Sequence, residues 1–202
     1  MKLFPKIIFY LLLSAGILIT FLPISWFPSF YDVRYSGWSM IATALIIYFV
    51  PLLIRVPANS PDAEKKNKAT DLLQFFITLA ILTDILGALG LYELYNYGIP
   101  YSFSLHIAMT FAGVIILTIV INQRFDVHIT KAAIIAFLLI LAWGVVWEIY
   151  ENTSDYLFKT HLAGASQTST QNTTVLNLIQ DFIGASCGLI LLLLKTHLNH
   201  KK

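Results

Sequence analysis

Apolar residues arrive along this chain in six runs, each about twenty residues long and separated by short polar breaks. The runs fall near Pro5–Phe21, Trp38–Ile54, Leu72–Tyr92, Phe103–Ile121, Ala132–Tyr150 and Val175–Leu194. Each is long enough to cross the hydrocarbon core of a bilayer. Inside that core only a helix or a closed barrel satisfies its own backbone amides and carbonyls. The pattern therefore predicts an all-α fold, an integral membrane bundle of six transmembrane helices. It predicts one transmembrane domain over 1–202, with two peripheral helices in 1–56 and a four-helix portion in 71–196 that carries the polar chemistry.

Composition agrees with this pattern. Hydrophobic residues make up 57% of the 202 residues and charged ones 12%, with a mean hydropathy of +0.74. Soluble domains carry roughly twice that charge fraction, so lipid has to cover the surplus apolar surface. A net charge of +2 is too small and too scattered for a nucleic-acid surface. The lone Cys187 excludes an intrachain disulfide framework, and its small or apolar neighbours suggest an inert packing thiol.

Charge also orients the chain. With the N-terminus inside, the inner segments hold Lys2, Lys6, Arg55, Lys65, Lys66, Lys68, Arg124, Lys131, Lys195, Lys201 and Lys202, against only Arg34 and Lys159 outside. Excess Lys and Arg on short cytoplasmic segments marks the inner side, so both termini are expected in the cytoplasm and the chain in the inner membrane. Pro57–Thr70, with its PDAEKKNK run, is the expected main cytoplasmic loop, and His161–Thr174 an outer one. Asp71 is expected to serve as an N-cap or first-turn charge. Lys2 and Lys6 ahead of an apolar run resemble a secretory leader, but without a convincing small-x-small cleavage site the run is expected to stay as an anchor. Aromatics gather at the expected outer edges (Trp26, Phe27, Phe30, Tyr31, Tyr35, Trp38; Tyr92, Tyr95, Tyr97, Tyr101; Trp147, Tyr150), where interfacial anchoring accounts for them. Asn152 and Asn172 head sequons that are common by chance.

Ionisable groups inside spans are costly, about 2.5–3.5 kcal/mol for an acid at a helix centre, so each needs a partner or a cavity. Asp84, Glu148, Glu151 and Asp181 lie within or at the ends of spans, and His106 lies within the fourth. With the orientation above, all five fall in the outer half of the membrane. Helical spacing groups Gly144, Glu148, Glu151 and Asp155 on one face, and Thr174, Asn177, Asp181, Gly184, Ala185 and Gly188 on another. Asp84 shares a face with Ala80, Gly87 and Ala88, and His106 with Thr110 and Gly113. Small residues beside polar ones mark helix contacts in membranes. Helices three to six are therefore expected to meet around an outward-facing polar site, with Asp84, Asn152 and Asn177 in support.

Three segments resemble the YjdF-like family of bacterial and archaeal inner-membrane proteins. They are DILGALGLYELYNYGIPYSFSLH (Asp84–His106), WEIYE (Trp147–Glu151) and NTTVLNLIQDFIGA (Asn172–Ala185). The resemblance covers roughly residues 80 to 190 and places His106, Glu148, Glu151 and Asp181 on the family's recurring polar positions. Asn172 and Asn177 stand where the family pattern has aspartates, which makes this site less negative. The resemblance implies a site rather than a reaction.

Two active readings and one passive reading fit those residues. A divalent metal (Zn, Mn, Fe or Mg) held by His106, Glu148, Glu151 and Asp181 suits a His–carboxylate set. Its bound water, with Glu148 as ligand or base, would attack a lipid or exported small-molecule substrate. There is no HExxH-type motif for such chemistry. The second reading is a proton- or cation-coupled transporter, which also uses clustered intramembrane acids. In the third, the groups hydrogen-bond one another and serve only structure or assembly. The bilayer is the one partner the sequence establishes; no nucleic acid is expected.

Overall fold

A computed structural model describes residues 2–26, 33–88, 91, 94, 97–158 and 170–199. Six long helices appear in the expected order: α1 (Leu3–Phe21), α2 (Val33–Ile54), α3 (Ala63–Ala88), α4 (Tyr101–Phe125), α5 (Ile129–Phe158) and α6 (Thr170–Asn199), with a short 3-10 turn at Ile24–Trp26. All six are long and apolar enough to cross a membrane, and no strand occurs among the described residues. Apolar side chains such as Leu53 and Leu194 stand exposed along them, as lipid-facing positions must.

Most helices outrun the apolar runs that announce them. The expected cytoplasmic loop Pro57–Thr70 is helical from Ala63 onward, because Ala63–Thr70 is rich in helix formers and carries an i,i+4 pair, Glu64 to Lys68 at 2.7 Å. Likewise the end of the expected outer loop is helical from Thr170. Hydropathy marks where lipid stops, and a helix continues beyond it while local propensity allows. Lys159, residues 161–169, Phe27, Phe30, Tyr31, Tyr92 and Tyr95 lie outside the described residues.

The helices form two compact units, residues 1–93 and 94–202. In the first, α1 and α2 cross where Gly16 and Gly37 meet: a Cβ on Gly16 would come within 2.8 Å of the Gly37 carbonyl. Beside the crossing, Ile8, Leu12, Met40, Ala44, Ile47 and Ile85 form an apolar core. The third helix, grouped from the sequence with helices four to six, packs on α1 and α2. Asp71 does not act at the start of α3 as expected. It lies eight residues into the helix and pairs with Arg55, just past the end of α2, and with Lys2 at 3.5 Å, because α3 begins a full two turns before the hydropathy does.

One contact of α3 follows directly from a proline. Pro51, inside α2, has no N–H, so the carbonyl four residues back, Ile47, loses its helical donor. Gln74 supplies one from the neighbouring helix, its Nε2 donating to the Ile47 oxygen at 2.9 Å, with the side chain 2% exposed. Just past the end of α2, Asn67 makes two hydrogen bonds with one residue: it accepts from the Val56 N–H and donates to the Val56 carbonyl, both at 3.1 Å.

In the second unit a tight turn at residues 126–128, with Asp126 left-handed at φ 52°, makes α4 and α5 antiparallel neighbours. Asn122 donates to the Val127 carbonyl at 2.8 Å and pins that turn. The α4–α6 contact is the closest in the unit. Gly184 lies against the Ile107 carbonyl and Cα, and Gly188 against the Phe111 carbonyl, where an added Cβ would sit 2.9 Å from the oxygen. The glycine pair thus receives two successive turns of α4 backbone. Cys187, between these glycines in sequence, is exposed rather than packed.

The Pro51–Gln74 relation makes a test. Gln74→Leu leaves the buried Ile47 carbonyl unpaired and is expected to cost about 1–3 kcal/mol. In a Pro51→Ala background the helix supplies its own donor, so the same substitution should cost much less. Thermal unfolding of the four proteins in detergent measures the difference; equal costs in both backgrounds would rule the exchange out.

Candidate functional site

Three helices contribute side chains at one end of the second unit, where α4 begins, α5 finishes and α6 begins. His106 lies in the second turn of α4, Glu148 and Glu151 toward the end of α5, and Asn177 and Asp181 in the third and fourth turns of α6. Asp181 and Glu148 are 4% and 3% exposed, the two most buried acids of the spans.

Close approach of α6 to α4 sets the first pair. With Gly184 pressed on Ile107, Asp181 three residues earlier on the same face reaches His106, whose Nδ1 is 2.9 Å from Asp181 Oδ1. The other carboxylate oxygen, Oδ2, faces Gly144 of α5, where a Cβ would lie 2.5 Å from it. Gly144 therefore provides the seat that the carboxylate occupies. On the α4 side, Thr110 turns its hydroxyl back to the His106 carbonyl at 2.7 Å, so it draws nothing from the pair.

One turn along the α5–α6 seam is the second pair. Asn177 donates through Nδ2 to Glu148 Oε1 at 3.0 Å. One turn further, Asn152 donates to the Glu148 carbonyl at 2.7 Å and to Thr174 Oγ1 at 3.2 Å. Antiparallel helices give this ladder: residues 144, 148 and 152 climb α5 as 181, 177 and 174 descend α6. The stripes expected from spacing thus face one another.

Glu148 Oε2 has no hydrogen-bond partner although it is buried. Buried polar atoms in native proteins almost always have one. Glu148 also lines a groove of about 270 Å³ between α5 and α6, together with Val145, Ile149 and Leu178 and the polar Asn152, Thr153 and Thr174.

Not all expected members come together as a metal shell. Glu151 accepts from Trp147 Nε1 at 2.7 Å, so that tryptophan, expected as an interfacial anchor, holds an acid. The four expected ligands separate into His106–Asp181, Glu148–Asn177 and Glu151–Trp147. Among the described residues no group of three His, Cys, Asp or Glu side chains is placed to hold a metal ion. Asp84 is half-buried on α3, in the first unit, and has interactions of its own. Asn172 has no described side chain. Sequence reasoning overlooked Gln180, buried in α6 with an unpaired Oε1; an amide amid NLIQDFIG was the available signal.

Six membrane-length helices and a polar seam buried among three of them define a polytopic membrane protein. The chain belongs to the family described as "Predicted membrane protein (DUF2238)", whose model matches residues 10–198. That agrees with the YjdF-like resemblance of the segments around His106, Glu148 and Asp181. No curated protein and no solved structure matches the chain.

The Gly144 seat predicts a substitution. Gly144→Ala drives a methyl into Asp181 Oδ2, and overpacking of this kind costs about 1–3 kcal/mol. It should also turn the carboxylate away from His106, which a shift of the imidazole nitrogen resonances in NMR reports. Unchanged resonances together with unchanged stability would place Asp181 elsewhere.

Proposed function

We propose that this protein is a proton- or cation-coupled carrier of the inner membrane whose exchange site is the polar seam shared by α4, α5 and α6. The observation that carries the reading is Glu148: an acid 3% exposed, held on one oxygen by Asn177 and lacking a partner on the other. The open oxygen is where a proton, a cation or a hydrogen-bond donor would bind, since a lone buried charge is costly. One turn away, the His106–Asp181 pair offers a second polar station. Two stations on adjacent turns are what coupling one species to another requires. The lysine and arginine bias, eleven inside against two outside, supports cytoplasmic termini and an outward-facing seam.

The structural reading accounts less well for Glu148. Interhelical hydrogen bonds in membranes are worth about 0.6 kcal/mol on average, and an acid whose second oxygen bonds nothing is a poor fastening. Metal-assisted hydrolysis with Zn, Mn, Fe or Mg requires His106, Glu148, Glu151 and Asp181 to leave their present partners and converge.

Purified protein in liposomes, loaded with a pH-sensitive dye and given a pH gradient with sodium, potassium or neither, tests the reading. Wild type should dissipate the gradient several-fold faster than protein-free liposomes under one of these conditions, and Glu148→Gln and Asp181→Asn should return to the leak rate. Wild-type rates equal to the leak, or a Glu148→Gln rate equal to wild type, would sink it. Elemental analysis after chelator-free purification separates the hydrolase reading. A stoichiometric metal, lost in Glu148→Gln, would favour that reading over the carrier.

A further inference from the structure

We infer that the groove between α5 and α6 binds the head of a bilayer-resident amphiphile bearing a primary ammonium group, which completes the hydrogen bonding of Glu148. The inference rests on reading the Glu148 seam as the exchange site, and it names the ligand class of that site.

Four observations converge on this ligand. Glu148 forms part of the groove wall, and its Oε2 is a buried acceptor without a donor. The donor that fits must carry N–H or O–H to reach it. Glu148 is also the one ionisable residue among those lining the groove, accompanied by the neutral Asn152, Thr153 and Thr174. Among the described residues no Lys, Arg or His lines the groove to neutralise it or to attract an anionic head. Electrostatic complementarity therefore selects a cationic head over a phosphate-only or carboxylate one.

The remaining walls say where the ligand comes from. Val145 and Ile149 are 47% and 60% exposed on a membrane-length helix, and Leu178 faces them across the groove. A groove between two spanning helices with such walls is reached sideways from the hydrocarbon. A soluble amine would leave those apolar walls uncovered, whereas an acyl chain covers them. The ammonium is primary because a trimethylammonium head has no N–H to offer Oε2. An ethanolamine-headed lipid meets every condition, and a choline-headed lipid fails the last.

Native mass spectrometry of the full chain, extracted from liposomes of equal phosphatidylethanolamine, phosphatidylcholine and phosphatidylglycerol, tests this without any ion gradient. Wild type is expected to retain one ethanolamine-headed lipid over a choline-headed one by about tenfold, the range a charge-assisted hydrogen bond supplies. Glu148→Gln should lose the preference. Thr153→Trp, which fills the groove and leaves the carboxyl untouched, should lose the bound lipid itself. Equal retention of the two zwitterionic lipids by wild type overturns the proposal, as does a preference that survives both substitutions. Displacement by free ethanolamine at matched concentration would make the ligand a soluble amine and overturn the lipid source. Because retention is read with no gradient, a protein that binds the lipid and moves no protons sinks the carrier reading alone. A protein that dissipates the gradient in liposomes lacking ethanolamine lipid, and retains none, sinks the ligand class alone.

Discussion

The seam depends on how near α6 comes to α4. Two glycines one turn apart, Gly184 and Gly188, admit the backbone of α4 at Ile107 and Phe111, and only that spacing lets a side chain as short as aspartate reach His106 at 2.9 Å. Larger residues at the glycines would hold the helices apart by more than an aspartate can span. The chemistry of the unit is therefore fixed by residues that have no chemistry of their own. Gly144 plays the same part from α5, leaving room for the second carboxylate oxygen.

The first unit obeys the same constraint in another form. Inside hydrocarbon a freed carbonyl finds no water, so the one released by Pro51 must be met by protein, and Gln74 meets it. Threonines bond back into their own helices, Thr78 to the Gln74 carbonyl at 2.7 Å and Thr118 to the Val114 carbonyl at 2.6 Å. Four buried side-chain atoms among the described residues lack a partner, Thr20 Oγ1, Gln74 Oε1, Gln180 Oε1 and Glu148 Oε2, and Glu148 is the ionisable one of the four.

Hydropathy and helical spacing made much of this legible. Six spans, and the faces holding Gly144 with Glu148 and Asn177 with Asp181, follow from periods of twenty residues and of three to four. Which face meets which does not follow, because register between helices depends on contacts far apart in sequence. His106 and Asp181 pair only through the α4–α6 approach, and Glu151 goes to Trp147 through its own helix. Asp71 was misread because hydropathy cannot see the amphiphilic start of α3, and Cys187 because neighbours in sequence are not neighbours on a helix face. Gln74 carries no signal of its own; its reason lies in a proline on another helix.

The stepped pairing of α5 with α6 has one more consequence, for how the hairpin chooses its alignment. Slide α6 by one turn in one direction and Asp181 comes opposite Glu148, two acids face to face in oil. Slide it the other way and Asp181 leaves the gap at Gly144 for a bulkier flank, while Glu148 trades its amide for a threonine. The alignment found is the one that keeps like charges a turn apart and gives each a neutral neighbour. Two acids brought face to face away from water would disfavour the misaligned hairpin.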